Sequence, residues 1–137
     1  MKKIDNGDWG AFIVTKKILQ GVPVAYCFRT EPFREMNGWQ LVSIEDSKED
    51  QDNPDCYTIA AMTTLLKANP ALEVMMEIFN APWYIYLGWI YEGEELDSPP
   101  GPVDFRHLKG FYDYGRKKMT TIPEILAGPG LPADLEV

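Results

Sequence analysis

The residues of this chain that could do covalent chemistry are few. His107 is its one histidine, and Cys27 and Cys56 are its two cysteines. A catalytic thiol would need His107 beside one of them. His107, however, lies in a proline-rich stretch, a poor platform for groups that must be held to a fraction of an ångström. The three serines, Ser43, Ser47 and Ser98, sit in no nucleophile motif. No GxxxxGK[ST] or GxGxxG loop is present to cradle a phosphate, and Gly128-Pro129-Gly130 reads as a turn. Twenty-one acids would allow a paired-carboxylate site, but nothing singles out one pair. The reading is a protein that is not an enzyme, with no catalytic residues and no cofactor.

The carboxylates themselves are the strongest signal. Between Glu45 and Asp55 lie Glu45, Asp46, Glu49, Asp50, Asp52 and Asp55, with Lys48 as the only cation. A calcium loop would need D-x-[DN]-x-[DN]-G-x5-E. Asp50 and Asp52 fill its first and third places, but Pro54 offers no ligand at the fifth. Asp55 replaces the turn glycine, and Ala61 replaces the closing glutamate. No metal site is expected, there or at His107. Two readings remain: a solvated loop that aids solubility, or a docking surface for a basic partner. Asp55 also suits the first turn of a helix, where the dipole favours an anion. Glu45, Asp46, Glu49, Asp50 and Asp52, with the aromatic Trp83, Tyr112 and Tyr114, form the expected partner-binding set.

A second acidic patch follows: Glu92, Glu94, Glu95, Asp97 and Asp104, with no base among residues 92–104. Net charge is -8 and pI is near 4.6. Such a surface repels nucleic acid and anionic membrane, so neither is an expected partner. Arg106, Lys109, Arg116, Lys117 and Lys118 alternate with Phe111, Tyr112 and Tyr114. In a basic chain this would read as nucleic-acid binding. Here it reads as a counterpart for the acidic patches, in the same chain or a neighbouring one.

The elements that must hold these residues come next. One domain suits 137 residues, and 45% hydrophobic content supports a core without staples. Two distant cysteines and no signal-like N-terminus fit a cytoplasmic protein. Residues 11–19 and 22–29 read as two strands joined by Gln20-Gly21 in a hairpin. Trp39, Leu41 and Val42 open a third strand. Asn53-Pro54 and Asn69-Pro70 each place a capping side chain before a proline, which predicts two helices. Their apolar stripes are Ile59, Met62, Leu65, Leu66 and then Leu72, Met75, Met76, Phe79. Residues 83–91, WYIYLGWIY, read as a strand covered on both faces. The expected core is Trp39, Ile59, Leu65, Met75, Phe79, Ile85 and Leu87. From Glu92 the composition shifts, with six of the eleven prolines in 92–137. This predicts a domain over 1–91. Residues 92–137 then form an arm with a short helix near 123–127, not an independent domain, adding little to the fold and serving assembly.

AFIVTKKILQGVPVAYCFR, NGWQLVS, an acidic stretch, DNPD and YTIAAMTTLLKANP, in that order, resemble immunity protein family 33 of bacterial polymorphic toxin systems. The resemblance covers about residues 11–90. Ile44 stands where the family's GWxxxxG pattern has its second glycine. The resemblance implies an α+β fold and a non-enzymatic role: binding and neutralising a cognate toxin. Combined with the element reading, the expected fold is α+β, an antiparallel sheet of about four strands. Two helices pack on one face, and the C-terminal arm is extended. The second reading is a small intracellular regulatory or assembly protein. In either case the arm could mediate a homodimer.

Overall fold

The computed structural model describes residues 9–81, 83–93 and 104–127. Seven strands form one sheet in the order β4-β1-β3-β2-β5-β6-β7. They are β1 (Ala11–Thr15), β2 (Val24–Arg29), β3 (Met36–Ser43), β4 (Tyr57–Ala61), β5 (Tyr86–Glu92), β6 (Asp104–Asp113) and β7 (Lys118–Thr120). Neighbours are antiparallel except β1 and β3, which run parallel. Among the described residues there are also four short α-helices: α1 (Lys48–Gln51), α2 (Met62–Ala68), α3 (Val74–Ile78) and α4 (Ile122–Ala127). The α+β class holds, with more strands than the sequence led us to expect.

The first two strands do not form a hairpin. β1 stops at Thr15, and Lys16–Gln20 wind into a 3-10 turn that buries Ile18. Gly21 closes it at φ 96, and its N–H bonds the Ile18 carbonyl. Two successive lysines break the alternation that a longer strand would need. β3 then inserts between β1 and β2, so the hairpin is β2–β3 instead.

Asn37-Gly38-Trp39 ties this centre together. Gly38 sits at φ 91, and a Cβ there would meet the Thr30 carbonyl oxygen at 2.2 Å. No other residue fits such a close approach. Asn37 accepts from the Trp39 N–H and donates from its side chain to the Trp9 carbonyl, at 2.8 and 2.7 Å. Trp39 is fully buried, and its indole N–H bonds the Phe79 carbonyl at 3.0 Å. The Arg29 guanidinium lies 5.7 Å from the Trp39 ring and 5.5 Å from the Phe79 ring. It donates to the Phe79 and Ala81 carbonyls at 2.9 and 2.7 Å, ending the helical segment on the sheet.

Both Asn-Pro caps are present. Asn53 and Asn69 side chains accept from the N–H two residues on. The first, however, starts only one 3-10 turn, Pro54–Cys56, and β4 follows it. Tyr57, Thr58 and Ile59 are aromatic or β-branched and favour extended backbone. Ile59 is therefore 52% exposed on an edge strand, not in the core. Trp39, Leu65, Met75, Ile85 and Leu87 are buried as expected, and Phe79 packs against them partly buried. The core cluster joins Met62 and Leu65 of α2 and Met75 and Ile78 of α3 to Phe12, Val14, Cys27, Trp89 and Tyr91 of the sheet.

The extended arm is corrected in its described part. β6 pairs with β5 from Leu87↔Asp113 to Glu92↔Asp104, and β7 pairs with β6. Phe111 and Ile125 are core residues. The boundary expected at 91/92 thus falls inside β5, one residue before its end, and cuts it from its paired neighbour β6. Gly110, Lys109 and the prolines masked a strand pattern that pairs Phe111 inward against Trp89, ring centroids 5.6 Å apart. The short helix expected near 123–127 is α4.

Candidate functional site: the open face of the sheet

Side chains on one face of the sheet enter the core; those on the other are the candidates. β2 turns Tyr26 and Phe28 outward, β5 turns out Tyr86, and β6 turns out Tyr112. The register places Tyr26 opposite Gly88, Phe28 opposite Tyr86, and Gly88 opposite Tyr112. The rings meet in a chain. Tyr86 lies 5.4 Å from Tyr26, 5.7 Å from Phe28 and 4.8 Å from Tyr114, and Tyr114 lies 5.2 Å from Tyr112. These are separations at which tilted and edge-to-face rings attract.

Gly88 makes the chain continuous. A Cβ there would come within 2.9 Å of the Tyr114 hydroxyl and 3.0 Å of its ring. The missing side chain is the space that Tyr114 fills. Asp113 sets the turn: its Oδ1 accepts from the Gly115 and Arg116 N–H groups at 2.9 and 3.1 Å. The Tyr114 N–H bonds the Tyr86 carbonyl at 3.1 Å.

The acidic run caps the other end of the ladder. Ser47 and Asp50 form a reciprocal capping box at the start of α1. Those bonds, the one from the Ser47 backbone first, hold the Asp50 carboxyl below its usual range. Its contribution to stability is present above its unfolded pKa and is lost as pH falls through the lower, folded one. Asp46 accepts from the Ser43 N–H and hydroxyl at 3.0 and 2.7 Å. Gln51 straps α1 to the face: its side chain accepts from the Tyr26 hydroxyl, and its carbonyl accepts from Tyr57 at 2.8 Å. Burial, with Tyr86 and Tyr57 close by, pushes the Tyr26 hydroxyl up to about 12, so it stays a donor. Lys48 lies 3.2 Å from Asp52, and Lys17 lies 3.8 Å from Asp50.

The expected site residues therefore divide. Asp46 and Asp50 shape the loop, Asp52 pairs locally, and Glu45 and Glu49 are exposed on it. Tyr112 and Tyr114 belong to the ladder. Trp83, 47% exposed, precedes β5 beside Tyr84, which is 73% exposed at φ 72. A cleft of about 620 Å³ lies between Tyr84, Tyr86, Asp113, Arg116 and Lys118. Among the described residues the acidic run's ion pairs are with Lys17 and Lys48, while Arg116 of the basic island lies 4.0 Å from Asp113. Glu94, Glu95 and Asp97 lie outside the described residues, as do the side chains of Asp104 and Arg106. Sequence reasoning missed Tyr26, Phe28 and Tyr86 as one surface. Their period-two spacing was visible, but the strand order that makes neighbours of β2, β5 and β6 was not.

Cys27 is fully buried, accepts from the Trp89 indole N–H at 3.2 Å, and has its thiol pushed up to about 12 by burial. It is no nucleophile in the folded protein. Cys56 is only partly buried. Native protein at neutral pH should take up one equivalent of an alkylating reagent, at Cys56, and a second only on unfolding, read by intact mass. Fast double labelling would show that the centre of the sheet opens. Among the described residues, no three His, Cys, Asp or Glu side chains gather as a metal site, and no helix is long and apolar enough to cross a membrane.

The family description "Immunity protein Imm33 domain" matches residues 12–84. The match contains Asn37-Gly38-Trp39, the acidic run and both Asn-Pro caps, and it stops two residues before β5. Comparison with curated proteins and with solved structures gives no match.

Proposed function

The chain belongs to the Imm33 immunity-protein family, and from that premise we propose that it binds and neutralises a cognate toxin through the open face of its sheet. It acts by occupation rather than by chemistry, in the cytoplasm of the cell that makes it. The observation that carries the reading is the ladder Tyr26–Phe28–Tyr86–Tyr114–Tyr112 with the acidic run at one end. Tyrosines offer large, rigid contact area at small entropic cost and are frequent binding hot spots. The carboxylates supply the long-range part: they steer a basic surface onto the face and orient it. A toxin that attacks a polyanion carries such a surface, and an immunity protein gains from rapid capture.

The two contributions separate kinetically. Glu45→Gln, Glu49→Gln and Asp52→Asn together leave the capping box intact. They should slow association with the toxin encoded beside the gene and flatten its salt dependence. Tyr86→Ala should instead speed dissociation by about 30-fold, the size of a hot-spot loss. Association rates against ionic strength, with survival of toxin-expressing cells, make the test. Wild-type rates and slopes in the carboxylate variant would return the loop to a solubility role. Full protection by Tyr86→Ala would remove the face from the site.

A further inference from the structure

The sheet has two outer strands, and the chain treats them differently. β7 is three residues long, opens on Lys118 and follows Lys117, which is held at φ 60. A short strand that begins with lysine is a poor template for another chain. β4 has neither device. Tyr57–Ala61 holds no charge, no proline and no glycine. It pairs with β1 in consecutive steps from Ala11↔Ala61 to Thr15↔Tyr57, with no bulge. Among the described residues no strand lies on its other side. Thr58 and Ala60 turn toward the core, where Ala60 is buried, and Tyr57, Ile59 and Ala61 turn to the open face. Ile59, in the middle of the strand, is 52% exposed. Every second residue of such an edge directs its N–H and C=O away from the sheet.

An edge of this kind takes up a further strand through its main chain. The acidic run selects which kind. It leads directly into β4: Glu49, Asp52 and Asp55 are exposed, and Asp55 lies two residues before Tyr57. Beyond the other end of β4 the first base is Lys67, in the last turn of α2. The edge is thus neutral along its length and negative at its Tyr57 end. A second copy of this chain fits it poorly, because each copy carries a net charge of -8 and β4 brings no cation. We infer that β4 accepts an extended segment of the toxin, with lysine or arginine at the end that lies beside Tyr57. The inference rests on the toxin-binding reading for the identity of the partner, and adds a contact made through backbone. Gln51 of α1 bonds both Tyr26 of the ladder and Tyr57 of β4, so the acidic run joins the two surfaces. A strand as short as β4 cannot hold a partner alone. It aligns a toxin that the carboxylates and the aromatic face retain.

Residue-resolved hydrogen exchange tests this, first on the free protein. Alternate amides of Tyr57–Ala61 should be protected by β1, and the others should exchange freely. The probe is an acetylated peptide of alternating threonine and valine with two lysines at each end. It should slow the open amides at least about tenfold and leave the β1-bonded ones unchanged. The same peptide ending in glutamates should bind at least about tenfold more weakly at low salt. Proline at an open amide (Thr58→Pro or Ile59→Pro, as the exchange pattern decides) leaves the β1 ladder intact. It should remove the peptide's effect and speed release of the toxin encoded beside the gene at least about tenfold. If that variant loses its melting transition by circular dichroism, Ile59→Lys blocks the edge from an exposed position instead. Uniform protection in the free protein would mean that the edge is already covered, by a second copy if sedimentation shows a dimer, and overturns the inference. Equal binding of the two peptides overturns it as well. A toxin complex in which the open amides stay unprotected also overturns it, and leaves the toxin-binding reading standing. Peptide protection without toxin binding does the reverse: the edge site stands, and the identity of its partner falls.

Discussion

Ending the chain at Tyr91 is expected to abolish cooperative unfolding altogether. The deleted part contains β6, β7 and α4, and with them Phe111, Ile125 and the partly buried Leu108 and Ile122. At about 1.5–3 kcal/mol for each fully buried large apolar side chain, and less for the partial ones, this removes roughly 5–10 kcal/mol. That is about the whole stability of a typical domain. The loss does not end there. Leu87, Trp89 and Tyr91 would be uncovered along one side, and β5 would become an edge strand without a charge between Tyr86 and Tyr91. Such an edge templates aggregation. The truncated chain should therefore be insoluble or lack a melting transition by circular dichroism. A soluble chain with a sharp transition would show that the first five strands are self-sufficient and that the later ones serve assembly.

The second large effect is expected at Gly38→Ala. Two costs combine there. A side chain at φ 91 adds about 1–2 kcal/mol. The new methyl would meet the Thr30 carbonyl oxygen at 2.2 Å, and that oxygen belongs to backbone, which cannot rotate away. Moving β2 from β3 to relieve it adds about 1–3 kcal/mol more. It also pulls at Arg29 and Trp39, which hold the Phe79 carbonyl. The expected total is about 2–5 kcal/mol by urea denaturation. Gly21→Ala is the control: its φ is 96, but a Cβ there would find its nearest neighbour at a comfortable 3.6 Å. It should cost only the conformational part, about 1–2 kcal/mol. Equal losses at the two glycines would mean that the close approach of β2 to residue 38 contributes nothing.

These two results bear on what could be read from the chain itself. β2, β3 and β5 declare themselves through β-branched and aromatic runs, and both Asn-Pro caps are real. What local patterning does not encode is partnership. Residues 11–15 are a strand in either arrangement, and nothing in them says that β3 rather than β2 will lie alongside. The stripe Ile59–Met62–Leu65–Leu66 is helical in period, but the helix begins only at Met62, because Tyr57, Thr58 and Ile59 pair with β1. Tertiary pairing overrode the cap. After Glu92 the prolines dominate the composition and hide a strand that has Gly110 within it. The site follows the same logic. Tyr112 and Tyr114 were legible as aromatics of a partner surface, and so was Trp83, although it was expected within the strand 83–91 and instead precedes β5. Tyr26 and Tyr86 were not, because each acquires its meaning only when β5 lies between β2 and β6. Gly38 and Trp39, the most recognisable pair, turn out to hold the frame and not the surface.

The strand order has a temporal consequence. Tyr26 and Phe28 come from the second strand made, Tyr86 from the fifth, and Tyr114 from the turn after the sixth. At about 5–20 residues per second, the 88 positions from Tyr26 to Tyr114 take about 4–18 s to synthesise. Through that interval β2 already has β3, but its other side waits for β5, and β5 waits for β6. A nascent chain therefore presents no continuous ladder. The surface comes into being in one step, late, when β6 closes on β5 and Tyr114 settles into the space above Gly88. A half-made copy carries only parts of the ladder, and the complete surface belongs to finished molecules alone.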